Sequence, residues 1–400
     1  MNELIRKYAK FLIDGCLRLK SGDKLFIIGS MIIEDFISLV SEEARKLGIE
    51  DIKVFKKNIA LERDLYLTKS FEEIIESGKL DNSIYNEMAR NGYAFLNLSS
   101  PVPNYFGDCD KELMAKVNTY LLKNIKEYKE YQLKGIIKWN ISAVPNTIWA
   151  KSIGVDINKL WNLVLDICLI KEGDPIVLWD EKMTKLKRKA EYLNSLDIDY
   201  LVYGNEIGTN VKIGLPKNYL FESADGKNIV NMPTEEVFTS PDRLRVDGIV
   251  YASKPLVYNN NLIEDFWLKF QDGKVVDYGA KKGLEILKGI FDVDSDASYL
   301  GEVALVDYDS PISKTEVLFK NTLYDENASC HLALGASFAE CVKDGLTKSR
   351  EELYKLGLNQ SNIHVDFFIG TKDLEVIAYL RDGRSKVIME NGNFVRSLKL

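Results

Sequence analysis

Two histidines occur in 400 residues, and each has acidic company: Asp325-Glu326-Asn327-Ala328-Ser329-Cys330-His331 and His364-Val365-Asp366. Imidazole is the commonest ligand of borderline metals and the usual acid or base near neutral pH, so this chain has few places for such chemistry. The stretch Ser361–Gly370 reads as a strand, where two-residue spacing puts His364 and Asp366 on one face. Side by side they can ligate a metal; equally, the carboxylate can do no more than orient a core histidine. Ahead of His331, Asp325 or Asn327 can cap a helix, and Ala328, Ser329, Cys330, Ala333, Gly335, Ala336 and Ser337 are small enough for close packing. We expect a helix over 328–344 with His331 near its first turn and Glu326 converging from just outside it. A tightly packed helix whose histidine finds a backbone partner fits the same residues.

Two further acidic spots sit in strand-like settings. Glu302 heads the apolar run Val303-Ala304-Leu305-Val306, and Glu235 and Glu236 precede Val237-Phe238. Singly, such carboxylates serve as well at caps and surfaces as at sites. Pooled, Glu236, Glu302, Glu326 and Asp366 with His331 and His364 make four carboxylates and two imidazoles, a set that balances two divalent cations. Two such ions about 3.5–4 Å apart can share a bridging carboxylate, deprotonate water and hold both a scissile carbonyl and a peptide amine. Oxygen-rich ligation with one or two histidines suits Zn, Co or Mn better than a thiolate-selected metal. Spacing alone does not join the six.

The elements that must position these residues divide the chain in two. Up to about residue 195, strand-like runs (24–28, 52–55, 93–98 and 136–141) alternate with helical ones (33–47, the long charged 111–133, 160–170 and 181–193). That alternation predicts βαβ units and an open, mainly parallel sheet. Beyond it, 200–214 and 248–258 are strand-rich. Asp272-Gly273, Asp382-Gly383 and Asn391-Gly392 carry tight-hairpin chemistry, with helices expected over 281–290 and 328–344. The expected organisation is an α/β domain over 1–195 and a mixed α+β domain over 196–400, rich in antiparallel strands and carrying the metal site.

Composition removes several function classes. With a net charge of −7 and a pI near 5.3, the chain lacks the basic excess of a general nucleic-acid binder. Gly29-Ser30-Met31-Ile32-Ile33 lacks the later glycines of a dinucleotide fingerprint, and no Gly-Lys-Ser/Thr phosphate loop occurs. The five cysteines form no CxxC pair, which fits reduced, buried thiols. Residues 1–19 form an amphipathic pattern rather than a signal peptide, and no apolar run reaches the roughly 18 residues of a membrane span. A cytoplasmic protein is expected. Trp139, Trp149, Trp161 and Trp267 are assigned to packing.

Four stretches together resemble the thermophilic-type metalloaminopeptidases, the aminopeptidase T and aminopeptidase S group: residues 231–239, 301–305, 322–335 and 364–370. Weaker similarity runs through 136–150 and 208–211. The resemblance implies a two-domain enzyme, usually a homodimer, that removes N-terminal amino acids from peptides with two divalent metals. Carried over by motif, Glu236, Glu302, Glu326, His331, His364 and Asp366 match the family's metal-ligand positions. Glu302 matches the bridging one, and Glu236 or Glu302 moves the proton. One departure stands out: where the family carries a tyrosine seven residues after the first histidine, expected to stabilise the tetrahedral intermediate, this chain has Phe338. Methionine is likewise more usual at Phe368.

Three readings follow. The first is a metal-dependent aminopeptidase acting on peptides with free N-termini. The second is a non-catalytic metal- or peptide-binding relative in which Phe338 has removed turnover, unless Tyr308 or Tyr324 reaches in to replace the hydroxyl. A phosphoester hydrolase is the third, and it would need Arg243 and Arg245 as a phosphate cradle; as surface or interface charges these arginines need no such role.

Overall fold

A computed structural model describes residues 1–223, 228–258 and 261–398. They fall into two compact units: 1–179 with 226–233, and 180–225 with 234–400. The division lies within the helix Pro175–Ser195.

In the first unit, five parallel strands run in the order Ile52–Lys57, Leu25–Ser30, Ala94–Ser99, Trp139–Ala143, Asn231–Met232. This is the parallel sheet that the alternating pattern predicts. Leu25–Ser30 is buried at all six positions, as an interior parallel strand covered on both faces must be. The helix Glu34–Lys46 buries Phe36, Ile37, Val40 and Ala44, one stripe at helical spacing. Phe26, Phe95 and Tyr128 fill the core, with ring centroids 5.3 Å apart for the first pair and 4.5 Å for the second.

The long helix expected over 111–133 is two helices, Lys111–Asn124 and Lys126–Leu133, broken at Ile125. Asn86 explains the break. Its side chain donates to the carbonyl of Asn124 and accepts from the amide of Tyr128 at 2.9 Å, satisfying backbone groups that the interrupted ladder leaves open.

The second unit contains a nine-stranded sheet and a five-stranded sheet whose recorded pairings are all antiparallel. Asp272-Gly273 and Asn391-Gly392 both adopt positive φ at their two central residues, the conformation of a type I′ hairpin turn. The helix expected over 281–290 begins later: a strand runs from Lys274 to Lys282, and Gly283, at φ +79°, turns it into the helix Leu284–Phe291.

The larger correction concerns residues 328–344. His331–Gly335 is a strand, and short 3-10 turns follow at Ala339–Cys341 and Gly345–Thr347. All five strand residues are buried, so the polar–apolar alternation that marks a strand is absent. The small residues serve sheet packing instead. A Cβ on Gly335, which sits at φ +102°, would lie 2.1 Å from the Ile363 carbonyl oxygen.

Candidate metal centre

The five-stranded sheet runs in the order His364–Phe368, His331–Gly335, Leu300–Val306, Glu236–Thr239, Glu222–Ser223. Its register decides which side chains meet. Asp366 pairs with Ala333, and Ala333 with Glu302; His364 pairs with Gly335, Ala304 with His331, and Val306 with Glu236. Residues directly opposite one another share a face, as do residues two apart along a strand. Glu236, Glu302, His331, His364 and Asp366 therefore all project from the same face. Ala304, Ala333 and Gly335 stand among them on that face, and their small side chains leave it open between the larger groups.

Glu302 lies at the middle. Ligand atoms of Glu236, Glu302 and His331 lie within 4.8 Å of one another, as do those of Glu302, His364 and Asp366. His364 Nε2 is 3.0 Å from Glu302 Oε2 and 3.2 Å from Asp366 Oδ1, and His331 Nε2 is 3.4 Å from Glu236 Oε2. The far nitrogen of each ring faces a backbone carbonyl: His364 Nδ1 lies 2.8 Å from Ala336 O and His331 Nδ1 3.4 Å from Ser329 O. Such a contact orients a ring so that Nε2 addresses the cluster, the usual arrangement around metal-ligating imidazoles.

Glu326 arrives from the turn Glu326–Ala328, which follows the helix Thr322–Asp325. It belongs to neither three-residue group, but Glu236, Asp366, Glu302 and His364 all act on its charge. Asp325 caps no helix at 328. It accepts the amides of Phe319 and Asn321 at 2.8 and 3.0 Å, bracing the loop that enters the turn. Asn327, fully buried, accepts the Glu235 amide at 2.7 Å and donates to the Leu323 carbonyl at 3.0 Å, tying this turn to the strand that carries Glu236. The paired glutamates divide their work: Glu235 forms an ion pair with Lys182, whereas Glu236 joins the cluster. Neither Asn327 nor Lys182 stands out as a site residue in the sequence, because a buried amide and a helix lysine are legible only once tertiary neighbours are known.

Electrostatics match the geometry. Burial pushes the Glu236 carboxyl up to about 7, with His331 opposing and Glu302 and Asp366 adding to the rise. Burial likewise holds Glu326 well above the ordinary carboxyl range, reinforced by Glu236 and Asp366. Burial disfavours charge on both imidazoles, yet the surrounding carboxylates outweigh it and raise His331 and, more strongly, His364. Burial opposes ionisation of Asp366 too, but the hydrogen bond from His364 prevails and lowers it.

Among the described residues, the ion-pair partners of these carboxylates are the two histidines, with no lysine or arginine. Even with both rings protonated, four carboxylates face two positive charges. A buried oxygen and imidazole set short of positive charge fits divalent cations.

Phe338 stands beside the cluster, its ring centroid 4.9 Å from that of His364 and 5.6 Å from that of Phe238. Tyr324 is fully buried against Phe319, and the backbone amide of Tyr308 pairs with Gly392 at 2.8 Å. Arg245 binds Asp199 at 2.7 Å, and Arg243 stacks on Tyr354, so both arginines have structural partners.

The family profile described as thermophilic metalloprotease (M29) matches residues 1–394. The chain is 35% identical to aminopeptidase AmpS of Bacillus subtilis (strain 168) and 34% identical to aminopeptidase 2 of Geobacillus stearothermophilus, covering 98% of both chains in each case. The solved structure of wild-type AmpT from Thermus thermophilus superposes with a TM-score of 0.89 at 30% identity, over 98% of this chain and 99% of that one. A 2,5-dihydroxypyridine dioxygenase from Pseudomonas putida KT2440 shares the fold alone, at 10% identity and a TM-score of 0.58. The chain thus belongs to the M29 family of thermophilic metalloproteases, the metalloaminopeptidases, and is a hydrolase that depends on divalent metal.

Proposed function

We propose that this enzyme releases N-terminal amino acids from peptides, with two divalent cations, Zn, Co or Mn, held by Glu236, Glu302, Glu326, His331, His364 and Asp366. The observation that carries the reading is Glu302, whose carboxylate belongs both to the group with Glu236 and His331 and to the group with His364 and Asp366. Bound divalent ions supply the Lewis acidity that makes water nucleophilic near neutral pH and polarises a carbonyl. The chain's own residues do the rest. Backbone carbonyls behind His331 and His364 fix the direction of both rings. Glu236 takes a proton from the attacking water and returns it to the leaving amine, a role for which Glu302 is the alternative.

Protein supplied with Zn or Co should release leucine from Leu-Gly-Gly and p-nitroaniline from leucine p-nitroanilide, and should leave the N-acetylated peptide intact. No cleavage at full metal loading would defeat the reading. A second reading has a specific observation behind it: Phe338 sits on His364 without a hydroxyl, as a non-catalytic metal- or peptide-binding relative would have it. A homodimer in the cytoplasm completes the proposal. Among the described residues, no helix is long and apolar enough to cross a membrane. Sedimentation at the mass of one chain would remove the dimer from it.

A further inference from the structure

A carboxylate outside the proposed ligand set has no assigned role. Glu340 lies in the turn Ala339–Cys341, and its Oε2 is shielded from solvent with no hydrogen-bond partner among the described residues. The turn is held from several sides. The Phe338 amide donates to Ser240 Oγ at 2.9 Å, the Leu220 amide to the Cys341 carbonyl at 2.7 Å, and the Lys343 amide to the Asn218 carbonyl at 2.9 Å. Gly345 closes against it, since a Cβ there would lie 1.8 Å from the Ala339 carbonyl oxygen. The backbone that carries Glu340 is therefore fixed, and the residue itself is half-buried. It stands two residues beyond the ring that rests on His364, and the charge of Glu302 reaches it.

A buried acceptor without a donor is costly, commonly about 1–3 kcal/mol, and natural proteins retain few of them without a use. The nearest use is dictated by the proposed reaction. In an N-terminal peptide substrate the amino nitrogen stands two bonds from the scissile carbonyl carbon, so a carbonyl placed at the cluster brings that amine to its margin. Resting on the aminopeptidase reading, we infer that Glu340 is a substrate-binding residue that receives the α-ammonium group of the peptide N-terminus. Binding breaks no bond: the ammonium donates a hydrogen bond to Oε2 and supplies the counter-charge that this carboxyl lacks. Burial, with a smaller push from Glu302, holds the empty Glu340 above the ordinary carboxyl range, and an arriving cation would draw it toward the carboxylate. A cationic side chain on the first substrate residue is a poorer fit, because its charge stands several bonds further from the carbonyl.

The test compares wild type with Glu340→Gln and Glu340→Asp in the full, metal-loaded chain. For leucine p-nitroanilide, Glu340→Gln should raise KM roughly 10- to 100-fold, the range for losing a hydrogen bond to a charged group, with kcat changed less than about threefold. Glu340→Asp should recover part of that loss. Calorimetric titration with L-leucinol and with 4-methyl-1-pentanol, which lacks the amine, provides a readout independent of turnover. Wild type should prefer the amine, and Glu340→Gln should bind both alike at unchanged metal content. Wild-type KM in the variant, an undiminished preference for the amine, or loss of metal would each overturn the assignment. Inactive wild type would count against the aminopeptidase reading, while the calorimetric comparison would still decide the role of Glu340.

Discussion

Replacing Phe338 by tyrosine adds one hydroxyl beside the cluster, and the structure indicates how large the effect should be. The ring is half-buried, tilted 52° to His364 and edge-on to Phe238 at 71°, with its backbone amide pinned to Ser240. The new oxygen extends a ring already in place beside His364. A phenol stays protonated through neutral pH, so it donates throughout the working range. Removing one donor from a developing oxyanion costs on the order of 3–4 kcal/mol, or roughly 100- to 1,000-fold in kcat. The reverse change should give a gain approaching the lower end of that range, because no other part of the site has been tuned to the new group. The assay is steady-state hydrolysis of leucine p-nitroanilide by wild type and Phe338→Tyr at equal metal content, with kcat and KM separated. A rise in kcat with little change in KM identifies a donor acting on the transition state. Unchanged kcat at full metal occupancy would refute the reasoning, and inactivity in both proteins would favour the binding role.

Three further outcomes test the rest of the account. Glu302→Gln should bring bound metal below one ion per chain by plasma mass spectrometry, whereas His331→Ala and His364→Ala should each cost about one ion; equal losses in all three would remove the bridging role. Asn327→Ala should lower stability by about 1–3 kcal/mol in urea unfolding, because the buried Glu235 amide loses its acceptor. No change would mean that Asn327 does not brace the turn. In metal-free protein the cluster's net contribution to stability should fall as pH rises. Glu236 and Glu326 have folded values above their unfolded ones, so their neutral forms favour the fold below about 4.5 and that contribution fades as pH climbs, for Glu236 through about 7. His331 and His364 are raised as well, so their contribution is full below about 6.5 and fades above it. Within the cluster Asp366 acts oppositely, losing its contribution as pH falls. Added Zn should therefore raise Tm more at pH 8 than at pH 5; a larger shift at pH 5 would contradict the assigned directions.

Several features were legible in the residues because local geometry leaves little choice. Period two on a strand places His364 and Asp366 together, and Asp272-Gly273 and Asn391-Gly392 supply the positive φ angles of tight hairpins. The alternation in the first half yields the parallel sheet. What local pattern does not carry is the effect of burial on all sides. The small residues around His331 suit a packed helix as well as an interior strand, and the strand prevails because His364–Phe368 pairs with all of it and Leu300–Val306 with His331 to Leu334. The break at Ile125 depends on Asn86, and the split between Glu235 and Glu236 depends on Lys182, partners remote in the chain. Register joins Glu236 and Glu302 to the histidines, and spacing along the chain contains no trace of it.

The most direct test of the central claim is metal stoichiometry and peptide cleavage measured on one preparation across a chelator titration. The account predicts about two divalent ions per chain, release of N-terminal amino acids from unblocked peptides, loss of both on chelation, and recovery of both when metal returns. Full cleavage by protein stripped of metal, or two bound ions per chain with no cleavage by either wild type or Phe338→Tyr, would contradict it.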